Sequence, residues 1–231
     1  RSRAEYLDSD PPAGFHFGVE VSCVSQWEID EIAGGAYENP VYGLRKGGEP
    51  GCELAIGIGR EDFEAYGIEY AVGGTHWPLY VPLEREAVIR DYHRQNMYLA
   101  THPLVNIVAH PWWWMGYWKD AKGHYPAEPW FDDFGVIPAS MHNEFAAAAK
   151  EHETAVEINI SANLLNGHYP RHFAGQYLEY LAGLRSLGVA LSIGSDCHST
   201  HYEIDFGVVE EMLEGAGITE PFWGLEPRAD G

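Results

Sequence analysis

The chain reads as an α/β protein built on a parallel sheet, and three observations predict it. Apolar runs rich in strand formers alternate with amphipathic helical stretches, in the repeating order strand, connection, helix, strand. That order implies parallel strands joined by crossover helices. Polar residues of metal-binding type recur where separate strands end: Glu20, His76, His110, Glu157 with Asn159, and Asp196 with His198. Last, the stretch Ser192-Ile193-Gly194-Ser195-Asp196-Cys197-His198 follows the apolar run Val189-Ala190-Leu191, so a buried strand runs straight into potential ligand chemistry. The 231 residues suffice for one sizeable core, and a single domain over 1–231 with its core over about 14–214 is expected.

The first strand is expected over Phe15 to Val24, which alternates and is rich in strand formers. Glu20 lies inside it between apolar neighbours, where a carboxylate is costly unless a metal or a cation compensates. A short helix over Trp27 to Ala33 and a surface excursion through Gly34-Gly35, Asn39-Pro40 and Lys46 to Gly51 follow. Leu54 to Ile58 is a further strand candidate, and Glu61 to Tyr66 looks helical.

Tyr70 to Trp77 is an apolar strand running into Gly73, Gly74 and His76, and glycines there allow close backbone approach. A helix over Pro82 to Ala100 follows, with His93 expected to face solvent. Leu104 to Pro111 is the next strand. Pro111 biases His110 to an extended conformation and stops the ladder, so His110 sits at a carboxyl end, as His76 does. His102, at the start of that strand, belongs to the opposite end. Four Trp occur within Trp112 to Trp118. They could wall a pocket, with Trp112 as a substrate-binding candidate, or pack as ordinary core.

A helix over Ala139 to His152, with Ser140 as its N-cap, precedes the strand Thr154 to Ser161. Glu157 and Asn159 share one face of that strand and could line the site or support its ligands. Asn159 is a substrate-binding candidate. The loop Asn163 to Arg171 carries Arg171, a candidate grip for an anionic substrate group. A helix over His172 to Leu187, the strand Val189 to Ser195 and a helix over Tyr202 to Leu213 complete the elements, and residues after Gly215 read as a peripheral tail. If the backbone stays extended at Asp196 and His198, both side chains aim at one point and could bind a divalent metal.

Composition excludes some functions. A net charge of −21 argues against a nucleic-acid partner, which requires a basic face. No run of about 18 apolar residues is present, so no membrane helix is expected. The start, Arg1 to Pro12, lacks the apolar core of a signal peptide. Cys23, Cys52 and Cys197 form neither a CxxC pair nor an even framework, which fits a reducing compartment and a cytoplasmic location.

In an α/β barrel the carboxyl ends of the strands converge on the face where active sites sit. The motifs Gly18-Val19-Glu20, Gly74-Thr75-His76, Ala109-His110-Pro111, Val156-Glu157-Ile158-Asn159 and Gly194-Ser195-Asp196-Cys197-His198 resemble, in order, those of the PHP (polymerase and histidinol phosphatase) domain family, over about residues 14 to 200. The resemblance implies a distorted (β/α)7 TIM-like barrel with two or three divalent metal ions, commonly Zn, Mn or Fe, and hydrolysis of phosphate esters. It implies Glu20 as a bridging ligand and His76, His110, Asp196 and His198 as further ligands. The chain departs from the family at its start. The family opens with His-x-His on its first strand, and here only His16 precedes Glu20. Either the first strands are absent from this chain or this is a degenerate member with a partial metal site. Arg1 and the shortage of strands favour the first.

The expected function is thus a metal-dependent phosphoesterase acting on a small phosphorylated substrate. Glu20, Asp196 and His198 are the catalytic candidates, and His198 could instead serve as general acid. The rivals are a metal-dependent hydrolase of a non-phosphate ester or amide, which the Trp cluster would suit, and a catalytically weak PHP-like binding domain.

Overall fold

The computed structural model describes residues 2–12, 14–40, 43–114, 119, 122–198 and 204–225. Five parallel strands form the central sheet: β1 (Gly18–Ser22), β4 (Tyr70–Gly74), β5 (Ile107–Ala109), β6 (Ala155–Asn159) and β7 (Leu191–Gly194), in that spatial order. Two short strands, β2 (Val24–Ser25) and β3 (Leu54–Ala55), pair antiparallel beside it. The helices are α1 (Ser2–Asp8), α2 (Gln26–Gly34), α3 (Arg60–Tyr66), α4 (Arg85–Thr101), α5 (Ala139–Glu151), α6 (Arg171–Ser186) and α7 (Phe206–Gly215). The expected parallel α/β architecture is present. Among the described residues β1 and β7 form the two edges of the sheet, and β1 pairs with β4 while β7 pairs with β6.

Burial follows the order of the strands. Every residue of β5 and β6 is buried, as a parallel sheet covered on both faces requires. The core beneath is strongly aromatic: Trp112, Trp114, Trp130, Tyr92, Tyr177, Phe145 and Phe173 are its largest fully buried side chains. The register sets neighbouring strand ends side by side, with Ser22 opposite Gly74, Gly74 opposite Ala109, and Asn159 opposite Gly194. The residues that follow these pairs therefore emerge together at the carboxyl end of the sheet. No helix of the described residues is long and apolar enough to cross a membrane.

Several elements differ from expectation. The strands are shorter than their apolar runs, because Thr75-His76 and His110-Pro111 leave the ladder as the chain turns. Pro138, not Ser140, precedes the first turn of α5. The last helix begins at Phe206, where the Asp205 side chain accepts bonds from the N–H groups of Gly207 and Val208. Tyr202, its expected start, lies outside the described residues. The segment after Gly215 is no mere tail: Ile218 is buried, and the Trp223 N–H donates to the Leu191 carbonyl at 2.7 Å, along the β7 edge. Helix α1 was not expected from its polar sequence. His93 does not face solvent freely. Its ring stacks parallel to Trp112, and its Nε2 lies 3.0 Å from Glu144 on the neighbouring helix α5.

Candidate metal centre

Glu20 sits mid-way along β1 and turns its carboxylate toward the strand ends. Its Oε1 lies 3.2 Å from His76 Nε2 and 3.4 Å from His110 Nε2. His76 follows β4 by two residues and His110 follows β5 directly, so three separate strands deliver one donor each. The donor atoms all lie within 4.8 Å of one another, and among the described residues this is the only such cluster of three.

Small residues make the approach possible. A Cβ on Gly74 would stand 2.7 Å from His76 Cε1, 3.0 Å from His110 Cε1 and 3.3 Å from Glu20 Oε1. Any side chain there would fill the space into which the three donors converge. The two imidazole rings meet nearly edge to face, with centroids 4.9 Å apart. His76 Nδ1 lies 3.1 Å from Ser22 Oγ. A proton on Nδ1 donated to that hydroxyl leaves the Nε2 lone pair free toward Glu20. The peptide N–H of His110 donates to Glu157 Oε2 at 2.8 Å, and Asn159 Nδ2 donates to the same oxygen at 2.9 Å.

The donor set suits a divalent ion: one carboxylate oxygen and two imidazole nitrogens. The spacing fits as well. Ligands about 2.0–2.1 Å from one tetrahedral ion stand roughly 3.3 Å apart. The two nitrogen–oxygen distances, 3.2 and 3.4 Å, match that edge and exceed the roughly 2.7–2.9 Å of a charge-assisted hydrogen bond.

Electrostatics give the donors different characters. The nearby imidazoles of His110 and His76 hold the Glu20 carboxyl far below the ordinary range, against an opposing effect of burial. Burial pushes the His76 imidazole down, outweighing its bond to Glu20. Burial also acts to lower His110, but Glu20, Glu157 and Asp196 together outweigh it and raise the group. Burial raises Glu157 despite its bonds from His110 and Asn159.

The remaining predicted residues are placed less simply. Asp196 is four-fifths buried, and its charge acts on His76, His110 and Glu157, so it belongs to the same region. Its backbone is not extended but left-handed, with φ +50°. The side chains of Asp196 and His198 meet each other instead, with Oδ1 to Nε2 at 2.9 Å, and the His198 ring is largely exposed. They do not join the three converging donors. Trp112 is core rather than substrate wall. It is 1% exposed and packs on Trp130, His142 and His93. Its neighbour Trp113 takes the expected place, half-buried, with its ring 5.9 Å from His76 and 5.6 Å from His110. Trp118 lies outside the described residues. Asn159 is fully buried, bonded to Glu157 and to the N–H of Ala162, and cannot reach a substrate. Arg171 is exposed at the first position of α6. His16 is held by Glu69 at 2.6 Å.

Sequence reasoning missed the roles of Ser22 and Gly194, and from the Trp run it singled out Trp112 rather than Trp113. Ser22 carried a usable signal, since it stands two residues beyond Glu20 on the same strand face. Gly74 takes the close-approach role that its position before His76 predicts.

No protein-family model matches the chain. A probable phosphatase of Vibrio vulnificus strain YJ016 is 29% identical over 152 residues, which is 65% of this chain and 49% of that protein. A probable phosphatase of strain CMCP6 is 28% identical over the same length. The match spans about half the length of these relatives. Among solved structures, the histidinol phosphate phosphatase of Lactococcus lactis, complexed with zinc, L-histidinol and phosphate, aligns over 88% of this chain and 94% of its own. Its sequence identity is 12% and the TM-score 0.45, a likeness too slight to bear on fold or chemistry.

Proposed function

We propose that the chain carries the metal centre of a metal-dependent phosphoesterase that hydrolyses a small phosphorylated substrate. The convergence of Glu20, His76 and His110 from three neighbouring strands carries this reading. The probable phosphatases of Vibrio vulnificus support the choice of a phosphate ester.

In this reading Glu20 Oε1, His76 Nε2 and His110 Nε2 hold a divalent ion, zinc, manganese or iron. Such an ion lowers the pKa of a bound water toward 7 and neutralises charge on phosphoryl oxygens. Ser22 fixes the His76 tautomer. Trp113 walls the site beside both rings and limits water around the substrate. Asp196 holds His198 at the exposed side, and the pair can hand a proton to a departing oxygen. Their mutual bond supports proton handling over direct ligation, although ligation of a second or third ion remains part of the family resemblance. Arg171 is the proposed contact for a distal anionic group. The (β/α)7 barrel belongs to the same proposal.

The test is release of inorganic phosphate from a panel of alkyl and aryl phosphates by protein loaded with zinc, manganese or iron. Turnover that disappears in Glu20→Gln and His76→Ala supports the reading. Turnover no greater than that of free metal would favour the second one, a domain that holds an ion and a ligand without catalysis. Cleavage of aryl amides or carboxylic esters in preference to phosphates would favour a different hydrolase.

A further inference from the structure

We infer that Glu157 is the positioning residue for His110, and that glycine at 194 is what gives Glu157 room to act. The inference rests on the proposed metal centre.

His110 is a ligand candidate in an unusual backbone state. Its φ is +27°, in the left-handed region that a branched-chain or ring-bearing residue rarely enters. Such a conformation persists only when the surroundings over-determine it. Two bonds do so here. The Trp113 N–H donates back to the His110 carbonyl at 2.9 Å, closing a tight turn through Pro111 and Trp112. The His110 N–H donates to Glu157 Oε2 at 2.8 Å. The first bond is local to the turn. The second ties the turn to a different strand, and so fixes where the imidazole emerges relative to Glu20.

Glu157 is itself clamped. It lies in the middle of β6, 9% exposed, with Asn159 Nδ2 donating to the same oxygen, Oε2. The Asn159 side chain is locked in turn by the Ala162 N–H on its Oδ1. The other carboxylate oxygen points across to β7. A Cβ at Gly194 would stand 1.8 Å from Glu157 Oε1, 2.7 Å from its Cδ and 3.0 Å from its Cγ. Glu157 therefore occupies the space a side chain at 194 would need. Any residue but glycine there would displace the Glu157 carboxylate, and with it the oxygen that both donors share. Glu157 touches no donor of the proposed centre through its own side chain; it acts on the His110 backbone.

The test compares Glu157→Ala, Glu157→Gln, Gly194→Ala and the Glu157→Ala/Gly194→Ala pair, with zinc alone as the probe. Two readouts are taken: zinc affinity by chelator competition, and hydrogen exchange of the His110 amide in metal-free protein. Glutamine can present its amide oxygen where Oε2 lies, so it should rescue. The expected result is zinc affinity lower by about 10–100-fold in Glu157→Ala and Gly194→Ala, and within about threefold of the original in Glu157→Gln. The double variant should be no weaker than Glu157→Ala by more than about threefold, because both changes act through one side chain. The His110 amide should exchange faster in both single variants, while the Leu79 amide, held by Asp91 at 2.7 Å, stays protected. Unchanged zinc affinity in Glu157→Ala, or in Gly194→Ala should the first not fold, would overturn the inference. So would Glu157→Gln as weak as alanine, which would assign the effect to charge. A parent protein that binds no zinc would defeat the metal-centre reading instead, and the metal-free exchange data would still decide whether Glu157 positions His110.

Discussion

The Nε2 of His76 lies 3.2 Å from Oε1 of Glu20, while the Nδ1 of the same ring lies 3.1 Å from Ser22 Oγ. One imidazole thus bridges two residues of β1 that share a strand face. Its outward nitrogen has one role and its inward nitrogen another. That division makes Ser22 a sensitive position although it is not one of the three donors.

Ser22→Ala should leave the fold intact and weaken metal binding by about 10-fold, the usual effect of removing a partner that orients a ligating histidine. Zinc affinity by chelator competition measures it. Thermal unfolding of the metal-free protein should move little, since the hydroxyl is a single, partly buried contact.

Trp112 and Trp113 should separate into stability and function. Trp112→Ala opens a cavity beneath Trp130 and His142 and should destabilise by about 3–5 kcal/mol, lowering Tm by roughly 6–20 °C. Trp113→Ala removes a half-buried ring beside His76 and His110, and should lower Tm far less while changing KM for aryl phosphates. Calorimetry and steady-state kinetics on the two variants check this. A reversed pattern would show that the two rings have been assigned to the wrong sides.

His142 gives a pH dependence of defined sign. Burial, with the nearby His93 charge adding, holds its imidazole down at about 4 against 6.5. Its ring stacks on Phe134 and meets Tyr180 and Trp112. Between those values the unfolded chain takes up a proton that the folded one refuses. The contribution to stability is therefore full above pH 6.5 and is lost as pH falls toward 4. Part of the ring reaches water, so the loss should amount to about 1–2 kcal/mol. Acid titration will also protonate carboxylates, so the readout is the difference between the parent and His142→Phe. The variant should lose less stability than the parent from pH 6.5 to 4.

The parts of this fold that were legible in the sequence are those fixed by local chemistry. Gly74 before His76 and Pro111 after His110 mark strand ends, and both histidines emerge there, but His110 takes a left-handed backbone with φ +27° where Pro111 predicted an extended one. The apolar run of β6 announced a strand, with Glu157 and Asn159 on one face. What stayed hidden depends on turns and on neighbours distant in sequence. The left-handed turn at Asp196 swings it onto His198, where an extended strand would have sent both elsewhere. Trp112 and Trp113 are equivalent as letters, and only the positive φ of Trp112, +65°, sends the first ring inward. Asn159 looked available to a substrate because nothing in the sequence shows that the N–H of Ala162 turns back onto it. The start of α7 followed the Asp205 cap rather than the preceding apolar pattern.

The most direct measurement is metal content per chain by plasma mass spectrometry, on protein purified without added metal or chelator, alongside Glu20→Gln. Glu20 is substantially exposed, so the variant should fold normally. The account predicts about one or more equivalents of zinc, manganese or iron in the parent, and roughly a tenth of that or less in the variant. Metal equally present in both proteins, or absent from the parent and not taken up on addition, would contradict it.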